Sequence, residues 1–270
     1  MSANSLGRGG ALFEIAAQVV RYRRDGEKIS ASAPPWQINS EDDADAIQDL
    51  VAEQMAEPVA GWKIGAVDAE GQHRLKLSRP FIGRVFQSRL WRSPATLPRL
   101  LLPECIPESE LAFCLGRDLP VRQRQYSVED VAAAIDGCHL AFEIVDFSWP
   151  DRSGLQGRDF VADNGGCAGL VVGPSLQNWH HREVCGGHIA LCIDGQVVAR
   201  GVVAKTLQVL LERTAWLANH LSARGIGMTS GQYVATGNWT GMTPMRAGQR
   251  ATAQFDEIGI VECVLPEFAT

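Results

Sequence analysis

Several patterns that would assign a function directly are missing from this chain of 270 residues. It has no G-x-x-x-x-G-K-[ST] loop, no G-x-S-x-G elbow and no strand-flanked G-x-G-x-x-G, which disfavours nucleotide binding and serine hydrolysis. No apolar run approaches the roughly 20 residues that span a bilayer. The N-terminus has no long apolar run followed by a small-residue cleavage site. We therefore expect no membrane association.

Basic residues are outnumbered by acidic ones, 25 against 31, which gives a formal charge of -6. No Lys/Arg stripe with interleaved aromatic residues is present, so we expect no nucleic-acid partner. The seven cysteines are scattered and odd in number, a usage typical of a reducing compartment rather than of a disulfide framework. With 46% hydrophobic and 21% charged residues, the composition predicts a cytoplasmic globular protein.

The first 60 residues are predicted to be helical. Apolar side chains recur at helical spacing over residues 12–24, and Asp25-Gly26 ends that pattern. Ser40 is placed to cap a second helix, which ends before Pro58. From Gly61 onward short strands and turns dominate, with helices predicted over 127–137 and 206–223 and a hairpin at Asp194-Gly195. The sequence therefore predicts an α+β fold, with a helical cap or arm over 1–60 and a mixed β catalytic domain over 61–270.

Three glutamates lie on or beside predicted buried strands: Glu108 and Glu110 in "IPESELAF" and Glu143 in "AFEIVD". Residues two apart on a strand point to the same face, so Glu108 and Glu110 share one. Neither strand contains a lysine or arginine, and buried unpaired carboxylates are costly. A hard divalent cation such as Mg²⁺ or Mn²⁺ would satisfy them. The alternative is that both strands are half exposed and the acids are solvated.

Other candidates are weaker on pattern alone. Lys63 in "GWKIG" is either a surface lysine whose stem packs on the strand or a cationic donor to a substrate near a metal. Asp163 and Asn164 in "VADNGG" form either an ordinary Asx turn or a site loop. A zinc site built from the set Cys185, His188, Cys192, His180 and His181 is disfavoured, because the spacing fits no standard zinc module.

A family resemblance emerges from an ordered set of segments. "GWKIG", "PESELAFCLGRDL", "AFEIVDF", "VADNGG", "TAWLANHLSARGIGMTSGQYVATGNWT" and "AGQRATAQFDEIG" occur in the order seen in the 2-keto-4-pentenoate hydratase / 4-oxalocrotonate decarboxylase family. This family belongs to the fumarylacetoacetate hydrolase superfamily. The resemblance runs from about Gly61 to Gly259 and implies a fumarylacetoacetate hydrolase-like mixed β-roll.

The resemblance also implies a chemistry. Mg²⁺ or Mn²⁺ held by Glu108, Glu110 and Glu143 would chelate a short 2-oxo acid, with Lys63 as the active-site lysine. Asp163 is expected to be catalytic, and the expected substrate-binding residues are Asn164, Phe81, Asn238 and Thr240. Family members hydrate 2-hydroxy-2,4-dienoates or decarboxylate oxalocrotonate, both through an enolate that the metal stabilises. Homo-oligomers are usual in the family, so a homo-oligomer is expected here.

Four positions depart from the family pattern. Phe81 stands about where an aspartate commonly helps to move protons, and Phe147-Ser148-Trp149 replaces the usual Ser-Arg. Gly166 replaces a small hydroxyl residue, and Asn238 replaces a serine. We therefore expect a metal-dependent lyase that resembles 2-hydroxypenta-2,4-dienoate hydratase. Decarboxylation or tautomerisation of a related 2-oxo acid is the alternative, as is a non-catalytic subunit that stabilises an active homologue.

Overall fold

The computed structural model describes residues 3–30, 36–256 and 258–268. Six α-helices lie in this part of the chain: α1 (Ala3–Asp25), α2 (Glu41–Met55), α3 (Ala69–Leu75), α4 (Val128–Ala132), α5 (Gly157–Ala162) and α6 (Leu207–Ala223). The strands are β1 (Val59–Gly65), β2 (Phe81–Phe86), β3 (Leu90–Arg92), β4 (Ala95–Thr96), β5 (Ile106–Leu115), β6 (Ile135–Val145), β7 (Cys167–Ser175), β8 (His188–Ile193), β9 (Gln196–Val202), β10 (Tyr233–Ala235), β11 (Arg250–Phe255) and β12 (Gly259–Val264). The α+β expectation is confirmed.

The strands form two mixed sheets. Seven strands follow the order β2-β1-β10-β5-β6-β7-β3, and five follow the order β4-β12-β11-β8-β9. The main hydrophobic core contains side chains from both sheets, among them Leu140 and Phe142 of β6 and Val261 of β12. The long antiparallel pair β5–β6 lies at the centre of the larger sheet. It therefore provides a rigid platform for side chains on its other face.

The predicted N-terminal helices are confirmed, and α1 is longer than the apolar pattern indicated. Ile15, Ala16 and Val19 of α1 are buried in a second apolar cluster that includes Ile47 of α2 and Phe86 of β2. Ser40 caps α2 by accepting a hydrogen bond from the Asp43 backbone amide. The proposed boundary at residue 60 falls inside β1, and this apolar cluster contains residues from both sides of it. The helical region therefore packs closely on the β region.

The helix predicted over 127–137 is shorter in the structure. Its capping box between Ser127 and Asp130 is present, but α4 ends at Ala132 and β6 begins at Ile135. Pairing of β6 with β5 extends to Leu115 opposite Ile135, so sheet hydrogen bonds replace the helical ones there. The helix over 206–223 and the hairpin between β8 and β9 are confirmed. Of the described helices, none combines the length and apolar character that crossing a bilayer requires.

Candidate active site

Strand pairing brings the three glutamates together. In the antiparallel register of β5 and β6, Glu108 lies directly opposite Glu143, and Glu110 lies two residues further along the same face of β5. One carboxylate oxygen from each lies within 4.8 Å of the other two. Within the described residues this is the only cluster of three or more His, Cys, Asp or Glu side chains close enough to share an ion. The cysteines and histidines around residue 188 form no such cluster.

Burial and nearby negative charge disfavour ionisation of Glu108 and Glu110. Burial, followed by the charge of Glu143, raises the pKa of Glu108 to about 8. Burial also raises the pKa of Glu110 well above its ordinary value, and the charges of Glu143 and Glu108 add to this effect. An electrostatic cost of this kind is relieved by protons or by a cation between the carboxylates.

Glu110 and Glu143 each contact a hydrogen-bond donor. Glu110 Oε2 accepts a hydrogen bond of 2.8 Å from the Gly237 backbone amide, which fixes its carboxylate against the turn after β10. Glu143 is 1% exposed, and its Oε1 atom lies 3.1 Å from the Lys63 Nζ atom. Buried carboxylate oxygens are normally satisfied. Three clustered carboxylates that share a single lysine are a donor set that suits a hard metal ion.

Lys63 lies next to this cluster. It is on β1, which pairs with β2 on one side and with β10 on the other. Its Nζ atom is 3.1 Å from Glu143 Oε1. Glycines make room for its stem, because a Cβ atom at Gly165 would lie 2.7 Å from Lys63 Cε. Burial lowers the pKa of Lys63, but Glu143 together with Cys167 and Glu108 outweighs this effect, and the pKa lies above its ordinary value. Lys63 is therefore a buried ammonium, not a surface lysine.

A cavity of about 700 Å³ opens over Lys63 and the glutamates. Phe81 and Asn238 line it, as the sequence predicted, and so do side chains that the sequence reasoning did not assign to the site. These are the cationic Arg74 and Arg152, the acidic Asp68, and the apolar Val145, Phe160, Trp239 and Met242. Arg152 and Phe160 belong to the polar loop after β6 and to α5, where no sequence pattern indicated a role. The cavity thus combines an ionic floor with a largely apolar wall.

Phe81 and Phe147 fit into spaces left by glycines. The Lys63 Nζ atom lies 4.9 Å from the centroid of the Phe81 ring. A Cβ atom at Gly65 would lie 2.2 Å from the Phe81 ring, and one at Gly166 would lie 2.5 Å from the Phe147 ring. Both phenyl rings line the cavity. They are therefore closely packed parts of its wall.

Asp163 does not line the cavity. Its Oδ1 atom accepts hydrogen bonds from Arg23 at 3.0 Å and from the Ser148 hydroxyl at 2.5 Å, and its Oδ2 atom accepts one from the Ser148 amide at 2.7 Å. The pKa of Asp163 is raised by burial, although Arg23 and Ser148 oppose this. These contacts join α1 to the loop after β6. The geometry supports a positioning role for Asp163 rather than contact with a substrate.

Asn164 and Thr240 also make internal contacts. The Asn164 Oδ1 atom accepts a hydrogen bond of 2.8 Å from the Arg84 backbone amide, and Asn164 Nδ2 donates one of 2.9 Å to the Arg84 carbonyl. Thr240 donates a hydrogen bond of 3.0 Å to the Ser109 hydroxyl, between the two glutamates of β5. Neither side chain lines the cavity, whereas Asn238, which accepts a hydrogen bond from the Thr240 amide, does. Asn164 and Thr240 thus hold the two loops that flank the site.

Comparison with known proteins identifies relatives of this chain. No family model matches the chain. A 2-hydroxypent-2,4-dienoate hydratase from Pseudomonas putida is 30% identical over 173 residues, which cover 63% of this chain and 76% of the relative. A 2-keto-4-pentenoate hydratase from Paraburkholderia phymatum is 27% identical over 259 residues, which cover 94% and 98%.

A solved structure shows the same fold. The 4-oxalocrotonate decarboxylase from Pseudomonas putida G7, complexed with magnesium and adipate, superimposes with a TM-score of 0.81 at 20% identity, covering 94% of this chain and 97% of the other. At this identity the likeness shows the fold alone. The hydratase relatives, aligned over most of their length, show the family. The chain belongs to the 2-keto-4-pentenoate hydratase / 4-oxalocrotonate decarboxylase family of the fumarylacetoacetate hydrolase superfamily.

Proposed function

We propose that the protein is a divalent-metal-dependent lyase that acts on a 2-oxo or 2-enol acid. The observation that carries this proposal is the meeting of three carboxylates within 4.8 Å at the floor of a 700 Å³ cavity. Lyase activity is named for the family relatives, which are hydratases. Lyase activity of this kind implies a small-molecule substrate. A cytoplasmic location and a homo-oligomeric state are parts of the proposal that rest on composition and on the family resemblance.

Glu108, Glu110 and Glu143 fit a hard divalent ion. Oxygens bound to one ion at about 2.0–2.6 Å lie no more than about 5 Å apart, so the observed spacing suits a shared ion. One lysine faces three carboxylates, which leaves negative charge for a cation to balance. All-oxygen ligands favour Mg²⁺ or Mn²⁺, and the decarboxylase of the same fold is complexed with magnesium. When bound, such an ion would act as a Lewis acid toward the oxygens of the substrate.

The chain's own groups supply orientation and a proton. Lys63 presents a buried ammonium beside Glu143, from which it can donate a hydrogen bond or a proton to an anionic substrate. The Gly237 amide holds the Glu110 carboxylate in place. Phe81 packs beside the Lys63 ammonium and keeps that part of the cavity apolar. A low local dielectric strengthens every charge interaction with the bound acid.

Hydration of a 2-hydroxy-2,4-dienoate is the leading reaction, and decarboxylation of a 4-oxalocrotonate-like acid is the second candidate. Phe81 favours the second, because it puts a phenyl ring beside Lys63 where an acidic side chain would help to activate water. Asp68 is the remaining carboxylate among the described cavity residues, and it is exposed at the start of α3, where it caps that helix. Loss of CO₂ from a chelated 2-oxo acid needs no such base.

The test is metal binding followed by turnover. Calorimetry with Mg²⁺ and Mn²⁺ should detect one site per chain in the wild type and none in Glu108→Ala. Glu53→Gln, an exposed carboxylate on α2, is the matched control and should bind like the wild type. With metal present, loss of dienol absorbance from 2-hydroxypenta-2,4-dienoate indicates hydration, and CO₂ release from 4-oxalocrotonate indicates decarboxylation.

Each outcome discriminates among the candidate functions. If the wild type binds neither ion, the lyase proposal fails and the non-catalytic subunit becomes the better account. If Glu108→Ala retains substantial metal-dependent turnover, the three-carboxylate site is wrong. Turnover of one substrate but not the other chooses between the two reactions.

A further inference from the structure

An apolar cluster that the proposed chemistry does not use adjoins the three glutamates. It consists of Ile106, Val145, Phe147 and Phe160, and the last three line the cavity. Phe147 is 7% exposed, while Phe160 is half-buried. Apolar side chains on a cavity wall offer binding energy only to apolar parts of a ligand.

The strand register fixes where this cluster begins. Glu108 pairs with Glu143, and Ile106 pairs with Val145. The apolar pair therefore lies two residues along the strands from the acidic pair. At about 3.3 Å per residue this step is about 7 Å long. Phe147 follows Val145 two residues later along the chain. A ligand whose acid group lies at the glutamates therefore has an apolar surface next to its remaining atoms.

The two phenyl rings form a preorganised surface. Their centroids are 5.6 Å apart and their planes meet at 79°, an edge-to-face arrangement that aromatic pairs favour. Gly166 leaves no space behind the Phe147 ring. The cavity of about 700 Å³ is much larger than a five-carbon acid and lies in the range of drug-sized ligands.

The two arginines that line the cavity, Arg74 and Arg152, differ in whether they are free to pair with a carboxylate of the substrate. Arg152 stacks over Phe147 at 4.6 Å, but both of its terminal nitrogens bond Glu104, at 2.7 and 2.9 Å. Its charge is therefore compensated. Arg74 is exposed and has no ion pair within the described chain. A second carboxylate at the far end of the substrate would have Arg74 as its partner, which makes an acidic tail the rival to an apolar one.

We infer that the substrate carries an apolar substituent, aryl or alkyl, at the end distal to its 2-oxo acid group, and that Phe147 and Phe160 bind it. This inference rests on the proposed function and extends it to the far end of the cavity. Arg152, which stacks on Phe147, is already paired with Glu104 and so is not free to pair with a distal carboxylate. The aromatic pair in turn provides the contact area for a ring or branched chain.

Binding of three saturated analogues tests the inference. Calorimetry with the Mg²⁺-saturated protein compares 2-oxopentanoate, 2-oxo-5-phenylpentanoate and 2-oxohexanedioate, which share the chelating end and differ at the tail. Burial of a phenyl group should lower the Kd about tenfold or more relative to 2-oxopentanoate. The dicarboxylate should bind no more tightly than 2-oxopentanoate.

Variants test whether Phe160 causes the tighter binding of the phenyl analogue. Phe160→Ala should bring the Kd values of the phenyl and unsubstituted analogues together, while Phe160→Leu, which keeps apolar area, should retain part of the difference. Arg74→Gln should leave the ratio of these two Kd values unchanged. Thermal unfolding of each variant checks that the fold persists.

The inference is overturned if the phenyl analogue binds no more tightly than 2-oxopentanoate. It is also overturned if 2-oxohexanedioate binds most tightly and loses that advantage in Arg74→Gln, since Arg74 would then recognise an acidic tail. Failure of all three analogues to bind in the presence of Mg²⁺ would instead count against the proposed function.

Discussion

The Lys63 Nζ atom lies 3.1 Å from Glu143 Oε1, and both side chains are buried. This ion pair neutralises one carboxylate, while Glu108 and Glu110 remain beside it with raised pKa values. The ladder between β5 and β6 prevents the three glutamates from moving apart. Without a cation the site would therefore be under electrostatic stress, which a divalent ion would relieve.

Glu110→Gln should weaken Mg²⁺ binding but stabilise the metal-free protein. The glutamine side chain keeps an acceptor for the Gly237 amide but cannot ionise. At a pH high enough to ionise Glu110, we expect the metal-free variant to unfold a few degrees above the metal-free wild type, because like-charge repulsion is lost. Its Mg²⁺ affinity should fall by at least about tenfold, since even outer-shell changes at metal sites cost this much.

Thermal unfolding in EDTA and Mg²⁺ calorimetry measure both effects of Glu110→Gln. The matched control is Glu53→Gln, which should change neither. A Glu110→Gln protein that binds Mg²⁺ with wild-type affinity would show that Glu110 is not a ligand.

The stability of the metal-free protein should fall as the pH rises from about 5 to about 8. The pKa of Glu108 is about 8 in the folded protein, against about 4.3 in an unfolded chain. Between these values the folded state holds a proton that the unfolded state has released, so deprotonation favours unfolding. Saturating Mg²⁺ should reverse the trend, because it binds the deprotonated carboxylates and its affinity rises with pH.

Melting temperatures in EDTA at pH 6.0 and 8.5, with and without Mg²⁺, measure this trend. Glu108→Gln removes the titrating group and should show a smaller decrease across the same interval. Equal decreases in the two proteins would assign the trend to other groups.

Asp163→Asn should destabilise the protein without removing a substrate contact. Arg23 is buried, and Asp163 is its carboxylate partner at 3.0 Å. Removal of one partner of a buried pair leaves an uncompensated charge and costs about 3–5 kcal/mol. Asp42→Asn breaks an exposed pair with Arg79 and should cost less than about 1 kcal/mol. Urea unfolding compares the two variants.

A double variant makes this test sharper. Replacement of Arg23 by Met in the Asp163→Asn background removes the uncompensated charge and should recover part of the lost stability. If Asp163→Asn instead abolishes turnover at unchanged stability, Asp163 acts in the chemistry and its positioning role is wrong.

Local patterns predicted part of the site, and long-range pairing supplied the rest. The alternation of strand side chains is enough to place Glu108 and Glu110 on one face. The sequence also marked Glu143 as an acid on a buried strand, but its approach to the other two depends on the register of β5 against β6, which local sequence does not determine. The Asp-Asn-Gly-Gly turn was recognisable, but the partner of Asp163 is Arg23, 140 residues away.

The shortened α4 has a similar cause. The capping box at Ser127 and Asp130 correctly marks the start of the helix. Its end could not be read from helical periodicity, because Ile135 satisfies both a helical face and a strand that pairs with Leu115. The tertiary contacts of the sheet decide between these two possibilities.

Gly165→Ala should impair turnover more than metal binding. Gly165 has φ +62, a left-handed conformation that costs an alanine about 1–2 kcal/mol. Its new Cβ atom would lie 2.7 Å from Lys63 Cε and 2.7 Å from the Phe81 ring. Lys63 and Phe81 must therefore shift, whereas the glutamates lie on β5 and β6 and keep their register.

The Kd for Mg²⁺ should accordingly stay close to that of the wild type, while kcat falls because the ammonium is displaced from the substrate. Gly154→Ala is the matched control, since its Cβ atom would meet no atom within 4 Å, and it should change neither quantity. Calorimetry and steady-state kinetics on the same preparations measure both. A Gly165→Ala enzyme with wild-type kcat would show that the turnover step does not depend on the position of Lys63, because the substitution forces that side chain to move.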